Sequence, residues 1–413
     1  MKPRRYPVRK FPMVLLTGAA LLLAPAVVAV PASADDSHVI DVPGQPLGVA
    51  AGPDGAVYVS DYNWAGGISV FKTGEARASR HIKVGHFSTS VAMAPDGTLF
   101  VVQTTEEMQT EIGVVAPGAG EVSSTIPLTQ GMHWLSMSPD GSLYVASPFA
   151  GTVSVLLPGR AQVDRVIEAG PYPVEVAVAK DGTAYAVNQH SGTVTVIPGG
   201  ATGPSHTIEV GKTSSPHGIA AAPDGTVYVT NVLSNDIAVI EPGGSSVARR
   251  IRVGREPQEV AAAPDGTVYV TNSADNTVSV IPPGANAVAE TIPVGEDPGR
   301  LAVMADGSVA VVNRGGKSLT VIDAGPAGRA AVATAAAVPA SGGAPAAGSG
   351  DGAAPLVDPA APSGSSFGTG LPAVAAAVGA AAVVIAAAVA LVAVLWRRRS
   401  RSAVNTTAEW TLE

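Results

Sequence analysis

One short signal occurs seven times at a nearly fixed interval in this chain. An aspartate followed by a glycine recurs at intervals of 41 to 44 residues, and each copy precedes a short apolar run. A fixed period of this length is typical of proteins that repeat one supersecondary unit many times. The seven aspartates are Asp54, Asp96, Asp140, Asp181, Asp224, Asp265 and Asp306.

Each repeat unit contains four segments with the composition of β-strands. The first three segments occur seven times, for example as EVAAAP, TVYVTN and NTVSVI in the sixth unit. The fourth also occurs seven times, but its first copy, His38 to Gly44, precedes the first unit, and the last unit has none. A ring of four-stranded blades is closed in this way when a strand from one terminus completes the last blade. We therefore predict an all-β, seven-bladed β-propeller over residues 35–325, closed by the N-terminal strand.

The phrase APDGTVYVTN occurs at Ala222 to Asn231 and again at Ala263 to Asn272. Pro-Asp-Gly favours a tight turn, because Pro fixes its φ, Asp bonds to the following amides and Gly accepts a left-handed conformation. We interpret the aspartates as turn residues, since the further acidic residues of a calcium-binding loop are absent from the sequence. The phrase resembles the YVTN-type β-propeller repeat family of exported and surface proteins. This resemblance implies a seven-bladed propeller, which is a fold that serves binding proteins and enzymes alike.

The two ends of the chain have the composition of targeting segments. Residues 1–34 combine five basic residues, an apolar run and a final Ala-Ser-Ala, which predicts a cleaved signal peptide. Residues 326–370, rich in Ala, Pro, Gly and Ser, are predicted to be a stalk. The uncharged residues 371–396 predict a transmembrane helix, and the arginines of residues 397–413 predict a cytoplasmic tail. We expect a single-pass type I protein of the cell membrane with an extracellular propeller. The alternative for the C-terminal segment is a sortase signal, but Val374 and Ala375 occupy the positions where such a signal requires Thr and Gly.

The charge of the predicted outer part restricts the class of partner. Between the signal peptide and the tail lie 16 basic and 31 acidic residues, a net charge of −15. Such a surface repels the phosphates of nucleic acids, so we expect no nucleic-acid partner. The chain has no cysteine, which excludes disulfide bonds and thiolate chemistry.

The repeat provides a register that predicts which residues share a surface. Residues just before the innermost strands and just after the second strands are expected on one face of the propeller, which we call the upper face. Side chains there that differ from unit to unit are candidates for a site around the mouth of the central channel. The candidates for catalysis are His133, His217, Glu175 and Glu259, and those for ligand binding are Trp64, Trp134, Asp61, Asn188, Asn231, Asn272 and Arg300.

Two classes of function fit this pattern. The first is a membrane-anchored binding or display module whose upper face receives an extracellular ligand, a cell-wall polymer or a protein. The alternative is a lactonase- or lyase-like hydrolytic enzyme. Similar propellers with these activities place carboxylates and histidines at the channel mouth, usually with a divalent metal ion. We predict no cofactor for the binding module, whereas the alternative would use a divalent metal.

Overall fold

The computed structural model describes residues 37–129 and 131–324 of the chain. Within these residues, 28 strands form seven four-stranded antiparallel sheets, which confirms the predicted seven-bladed β-propeller. In the part of the chain described, no helix is long and apolar enough to cross a membrane. The predicted signal peptide, stalk, transmembrane helix and tail lie outside the described residues.

One sheet joins the two ends of the propeller. It consists of β1 (Ser37–Asp41), β26 (Pro298–Val303), β27 (Val309–Asn313) and β28 (Ser318–Ile322). Strand β1 pairs antiparallel with β28, from Ser37 opposite Ile322 to Asp41 opposite Ser318. The N-terminal strand therefore closes the ring as the displaced fourth segment predicts.

The other six sheets follow one another along the chain. Those of the first two units comprise β2 (Pro46–Ala51), β3 (Val57–Asp61), β4 (Ile68–Phe71) and β5 (Arg80–Ile82), then β6 (Val91–Met93), β7 (Leu99–Thr104), β8 (Thr110–Val115) and β9 (Ser124–Pro127). Those of the third and fourth units comprise β10 (Trp134–Met137), β11 (Leu143–Ser147), β12 (Thr152–Leu156) and β13 (Arg165–Glu168), then β14 (Pro173–Val178), β15 (Ala184–Asn188), β16 (Thr193–Ile197) and β17 (His206–Glu209). Those of the fifth and sixth units comprise β18 (Pro216–Ala221), β19 (Val227–Asn231), β20 (Asp236–Ile240) and β21 (Arg249–Arg252), then β22 (Pro257–Ala262), β23 (Val268–Asn272), β24 (Thr277–Ile281) and β25 (Glu290–Pro293).

The seven Asp-Gly pairs form turns of one geometry. In each, the aspartate Oδ1 accepts a hydrogen bond from the amide two residues later, as from Thr226 to Asp224 over 2.9 Å. The following glycine has a left-handed φ, for example 87° at Gly225, that other residues rarely adopt. These aspartates therefore shape the turns between first and second strands, as predicted from the sequence.

The core lies between neighbouring sheets. One apolar cluster, for example, joins Tyr228 and Val239 of the fifth unit to Val260 and Val270 of the sixth. Each sheet is covered on both faces by its neighbours, which explains why segments such as TVYV are apolar at consecutive positions. The first strands of the sheets pack against one another around the axis, so their side chains line the central channel.

Candidate functional site

A small cavity lies in the central channel, near the upper face. It has a volume of about 200 Å³ and is lined by the first strands of the seven sheets and the residues that directly precede them. One register position dominates its lining. The residues at that position are Gly48, Ser90, Trp134, Glu175, Glu259 and Arg300.

Local irregularities in the strands set the positions of the charged residues. Strands β22 and β26 each shift register after their first residue, between Pro257 and Val260 and between Pro298 and Leu301. A β-bulge of this kind re-aims side chains relative to a regular ladder. Glu259 and Arg300 both lie within these shifts and both line the cavity.

Three charged side chains meet in the cavity. Arg300 Nη1 donates hydrogen bonds to Glu175 Oε1 over 2.7 Å and to Glu259 Oε2. The Arg300 guanidinium also lies over the Trp134 ring, with its carbon 4.6 Å from the ring centroid, a cation–π arrangement. The side chains of Arg300, Glu175 and Glu259 are only 17%, 13% and 6% exposed. The cluster therefore operates largely out of bulk water, where charges interact strongly.

The surroundings in the channel raise the pKa of both carboxyl groups. Burial raises the pKa of Glu175 well above its ordinary value; Arg300 opposes this rise and the Glu259 carboxylate adds to it. Burial also raises the pKa of Glu259, but Arg300 and the amide of Val260, which donates to Glu259 Oε1 over 3.2 Å, both lower it. Both carboxyl groups therefore keep a proton to a higher pH than an ordinary glutamate does. Burial lowers the pKa of Arg300, but the two carboxylates outweigh this and raise it, so the guanidinium stays charged.

Three of the residues that line the cavity have a buried polar atom without a partner. Glu175 Oε2, Arg300 Nη2 and Thr89 Oγ1 are buried and have no hydrogen-bond partner among the described residues. All three residues line the same cavity. A buried polar atom that lacks a partner costs about 1–3 kcal/mol, so native proteins rarely leave several together unless water or a ligand satisfies them.

The two candidate histidines occupy different surroundings. His217, on β18, has its Nδ1 3.2 Å from the carbonyl oxygen of Gln258. Burial and the positive charges of Arg300 and Arg314 lower the pKa of His217 to about 4, although the contact with the Gln258 carbonyl raises it. This ring is therefore neutral at pH 7. His133 is buried inside its own sheet, between Ser147 Oγ at 2.9 Å and the Thr129 carbonyl oxygen at 2.7 Å. The structure therefore brings His217, but not His133, into the electrostatic field of the charged cluster.

The other polar candidates make local contacts. Asn188, Asn231 and Asn272 are fully buried, and their side-chain amides donate to side chains of the following strand, such as Ser279 Oγ at 2.9 Å from Asn272. Asp61 accepts from the Gln45 amide and the Asn63 side chain, both over 2.6 Å. None of these four residues lines the cavity.

Aromatic side chains form two clusters on the upper face. In the first, Trp64, which is 57% exposed, stacks on His86 with ring centroids 4.2 Å apart. In the second, Tyr172 stacks on His190 at 4.1 Å and meets the edge of Phe149, which is 68% exposed. The structure thus keeps Trp64 at the surface and places Trp134 in the channel.

The residues of the cluster do not fit a divalent metal as they stand. Across residues 37–129 and 131–324 no group of three or more His, Asp or Glu is arranged to hold an ion. The two carboxylates that converge in the channel already bind the Arg300 guanidinium through facing oxygens. A positively charged side chain thus stands where an ion would have to bind.

Thr271 is a positioning residue that the candidate set omits. Its hydroxyl accepts from the Glu259 amide over 3.0 Å and donates to the Gly299 carbonyl over 2.8 Å. Thr230 makes the equivalent link from Gly218 to Gln258. The threonine of the YVTN phrase therefore ties neighbouring first strands together and holds the backbone next to Arg300. Its repetition at Thr230 and Thr271 is the signal that would have identified this role.

Comparison with solved structures supports the fold. A hydrazine synthase from Kuenenia stuttgartiensis is 19% identical, covers 68% of this chain and 97% of its own, and superimposes with a TM-score of 0.60. The virginiamycin B lyase of Staphylococcus aureus is 14% identical, with coverages of 69% and 98% and a TM-score of 0.58. The WD40 propeller domain of Doa1 is 13% identical, with coverages of 70% and 97% and a TM-score of 0.60. At these identities the likeness extends to the fold alone.

Sequence comparison assigns the chain to a family. No curated protein sequence matches it significantly. The family model of the virginiamycin B lyase family, however, matches residues 32–322, which span the whole propeller. This match confirms a propeller repeat family, while the narrower YVTN assignment stays a prediction. The chain belongs to the virginiamycin B lyase family.

Proposed function

We propose that this protein is an extracellular binding module that takes a small polar ligand, or the polar end of a larger one, in the channel cavity. The observation that carries the proposal is the set of three buried polar atoms without partners, Thr89 Oγ1, Glu175 Oε2 and Arg300 Nη2, around one cavity of about 200 Å³. Ligand sites commonly combine a preformed cavity with a few convergent polar groups.

The aromatic residues extend this proposal to a larger ligand. Trp64 and Phe149 expose much of their rings on the upper face, on which the channel cavity also lies. Exposed aromatic rings cost free energy unless they contact a partner. A cell-wall polymer or a protein would bind the rings of Trp64 and Phe149 while one polar group enters the channel.

Membrane attachment is the second element of the proposal. Strand β28 ends at Ile322, opposite Val309 and therefore next to the Asp306-Gly307 turn, on the side of the propeller opposite the upper face. The predicted stalk would leave from this side and lead to the predicted helix at residues 371–396.

A probe-binding experiment tests the channel site. Acetate, acetamide, glycine, ethanolamine and glycerol are added separately to the purified full-length chain, and binding is followed by saturation-transfer NMR. We expect at least one probe to bind the wild type and to bind about fivefold more weakly to T89V, which removes one hydrogen-bonding hydroxyl. The control is T291V, since Thr291 is exposed on an outer strand. If no probe binds, or if T89V and T291V bind equally, the proposal is wrong.

Lyase activity is the second candidate function. Family membership favours it, and so does Glu175, a buried carboxyl group with a raised pKa that lines the channel cavity and suits a residue that gives and takes a proton. His217, neutral at pH 7, is a further proton acceptor in the same electrostatic field. The test is incubation of the chain with virginiamycin B, followed by chromatography of the antibiotic. Consumption by the wild type that E175Q abolishes would support this candidate, and an unchanged antibiotic would reject it for this substrate.

A further inference from the structure

Two buried carboxyl groups converge on a single nitrogen in the channel. Glu175 comes from β14 and Glu259 from β22, and both accept hydrogen bonds from Arg300 Nη1. Two acidic groups at one buried point repel each other once both are ionised. Such a pair is stable only if a cation lies between them or one group keeps its proton.

Two kinds of cation commonly neutralise such a pair of carboxylates in proteins, a metal ion and a guanidinium. A hard divalent ion binds carboxylate oxygens and completes its shell with hydroxyls and water. Here the guanidinium takes the position, and its stacking on Trp134 at 4.6 Å holds it on a further side. Arginine is also always protonated, so its charge does not depend on the solution around it.

We propose that Arg300 is a built-in cation that makes the channel site independent of divalent metal ions, and that removing its charge turns Glu175 and Glu259 into a divalent-cation site. The inference shares with the proposed function only the cavity that both concern. Its test does not require the ligand to be known. Independence from divalent ions would distinguish this site from those of propellers in which an ion neutralises the carboxylates.

The oxygen atoms for an ion are already present around the guanidinium. Glu175 offers Oε2, which has no partner, in addition to the Oε1 that Arg300 now binds. Glu259 offers Oε2, and Thr89, whose hydroxyl has no partner, is among the residues that line the same cavity. With water molecules these atoms reach the six to eight oxygen ligands, roughly, that Ca²⁺ prefers.

The experiment compares R300M with R300K in the full-length chain. Methionine keeps an apolar stem and removes the charge, whereas lysine retains a cation. For R300M we expect Ca²⁺ to raise the melting temperature by about 3 °C or more. We also expect Tb³⁺, a luminescent substitute for Ca²⁺, to emit when Trp134 is excited. The wild type, R300K and the double variant R300M/E175Q should show neither effect, and W134F/R300M should keep the melting shift while losing the luminescence.

Each outcome decides the proposal. A Ca²⁺-dependent rise in the wild type that E259Q abolishes would overturn it, because the carboxylates would then bind an ion beside Arg300. A folded R300M that responds no more than R300M/E175Q would overturn it as well. If R300M folds neither with Ca²⁺ nor with a chelator, the wild type and R300K decide: a Ca²⁺ response in either overturns the proposal, and its absence in both supports it. Failure of the binding module would be seen separately, as a lack of binding by the small polar probes.

Discussion

The Arg300 guanidinium donates to the Glu175 carboxylate over 2.7 Å, although 125 residues separate the two along the chain. The contact crosses the channel from the seventh unit to the fourth. It exists because the closed ring of seven sheets brings all first strands to one axis. The ion cluster therefore depends on ring closure by β1 and β28 as well as on the cluster's own residues.

The first prediction concerns the stability that this cluster controls. R300A should lower the free energy of unfolding by about 3–5 kcal/mol, since it leaves two buried carboxyl groups without their cation. The matched control is R255A, which removes an ion pair to Asp275 from an arginine side chain that is 68% exposed. That variant should lose less than about 1 kcal/mol. Urea unfolding of both variants measures the difference, and equal losses would contradict the buried role of Arg300.

The second prediction is a dependence of stability on pH through His217. Its pKa is about 4 in the folded protein and 6.5 ordinarily, so protons bind the unfolded chain preferentially between these values. Stability is therefore complete above pH 6.5 and falls as the pH drops toward 4, by at most about 3 kcal/mol. H217Q keeps a donor for the Gln258 carbonyl but cannot titrate. Its unfolding free energy should change less than that of the wild type between pH 7.5 and 4.5, and parallel pH profiles would refute a neutral His217 in the folded protein.

The third prediction concerns Thr271, which links Glu259 to Gly299. T271V leaves the Glu259 amide and the Gly299 carbonyl without this partner, at a cost of about 2–4 kcal/mol. It should also weaken binding of the small polar probes, because the backbone beside Arg300 loses its support. T291V, on an exposed outer strand, should change stability by less than about 0.5 kcal/mol. A T271V protein with wild-type stability would show that the link is dispensable.

The sequence predicts the frame of this site better than its contacts. A period of 41 to 44 residues and the displaced fourth segment are enough to predict seven sheets and their closure. The register also brings Trp134, Glu175 and Arg300 to one cavity, because one position of each first strand faces the channel. Which carboxylate meets which cation is not encoded in the repeat. It depends on which residue occupies the channel-facing position of each first strand and on side-chain length across the ring, since the same bulge recurs in β2, β18, β22 and β26.

Some side chains that the sequence register places at the candidate site are instead buried within the sheets. His133 directly precedes Trp134, yet the histidine is buried between Ser147 and the Thr129 carbonyl while the tryptophan lines the channel. The side chains of the asparagines that end the second strands are also buried. That of Asn272, for example, donates hydrogen bonds to Thr277 and Ser279. A repeat pattern identifies such positions as strand ends, but it does not show which way their side chains point.

The last prediction concerns Tyr172, whose backbone is in a left-handed conformation with φ of 61°. This conformation costs a bulky residue about 1–2 kcal/mol, whereas asparagine accepts it more readily. Y172N loses the stacking on His190 and the edge contact with Phe149, which are together worth about 1–3 kcal/mol. The two effects nearly cancel, so Y172N should have a stability within about 1 kcal/mol of the wild type.

A buried tyrosine provides the contrast for Tyr172. Y185N, at a residue that is 4% exposed, should cost more than about 3 kcal/mol, since it removes a ring from the core. The left-handed conformation recurs at the equivalent Ser215, Glu256 and Asp297, so it belongs to the repeat. If Tyr172 is dispensable for folding, contact of its aromatic ring with a partner on the upper face explains the ring. Co-sedimentation with purified cell walls measures that contact, and Y172N should reduce it while T291V does not. A loss of stability as large as that of Y185N would instead assign Tyr172 to the fold.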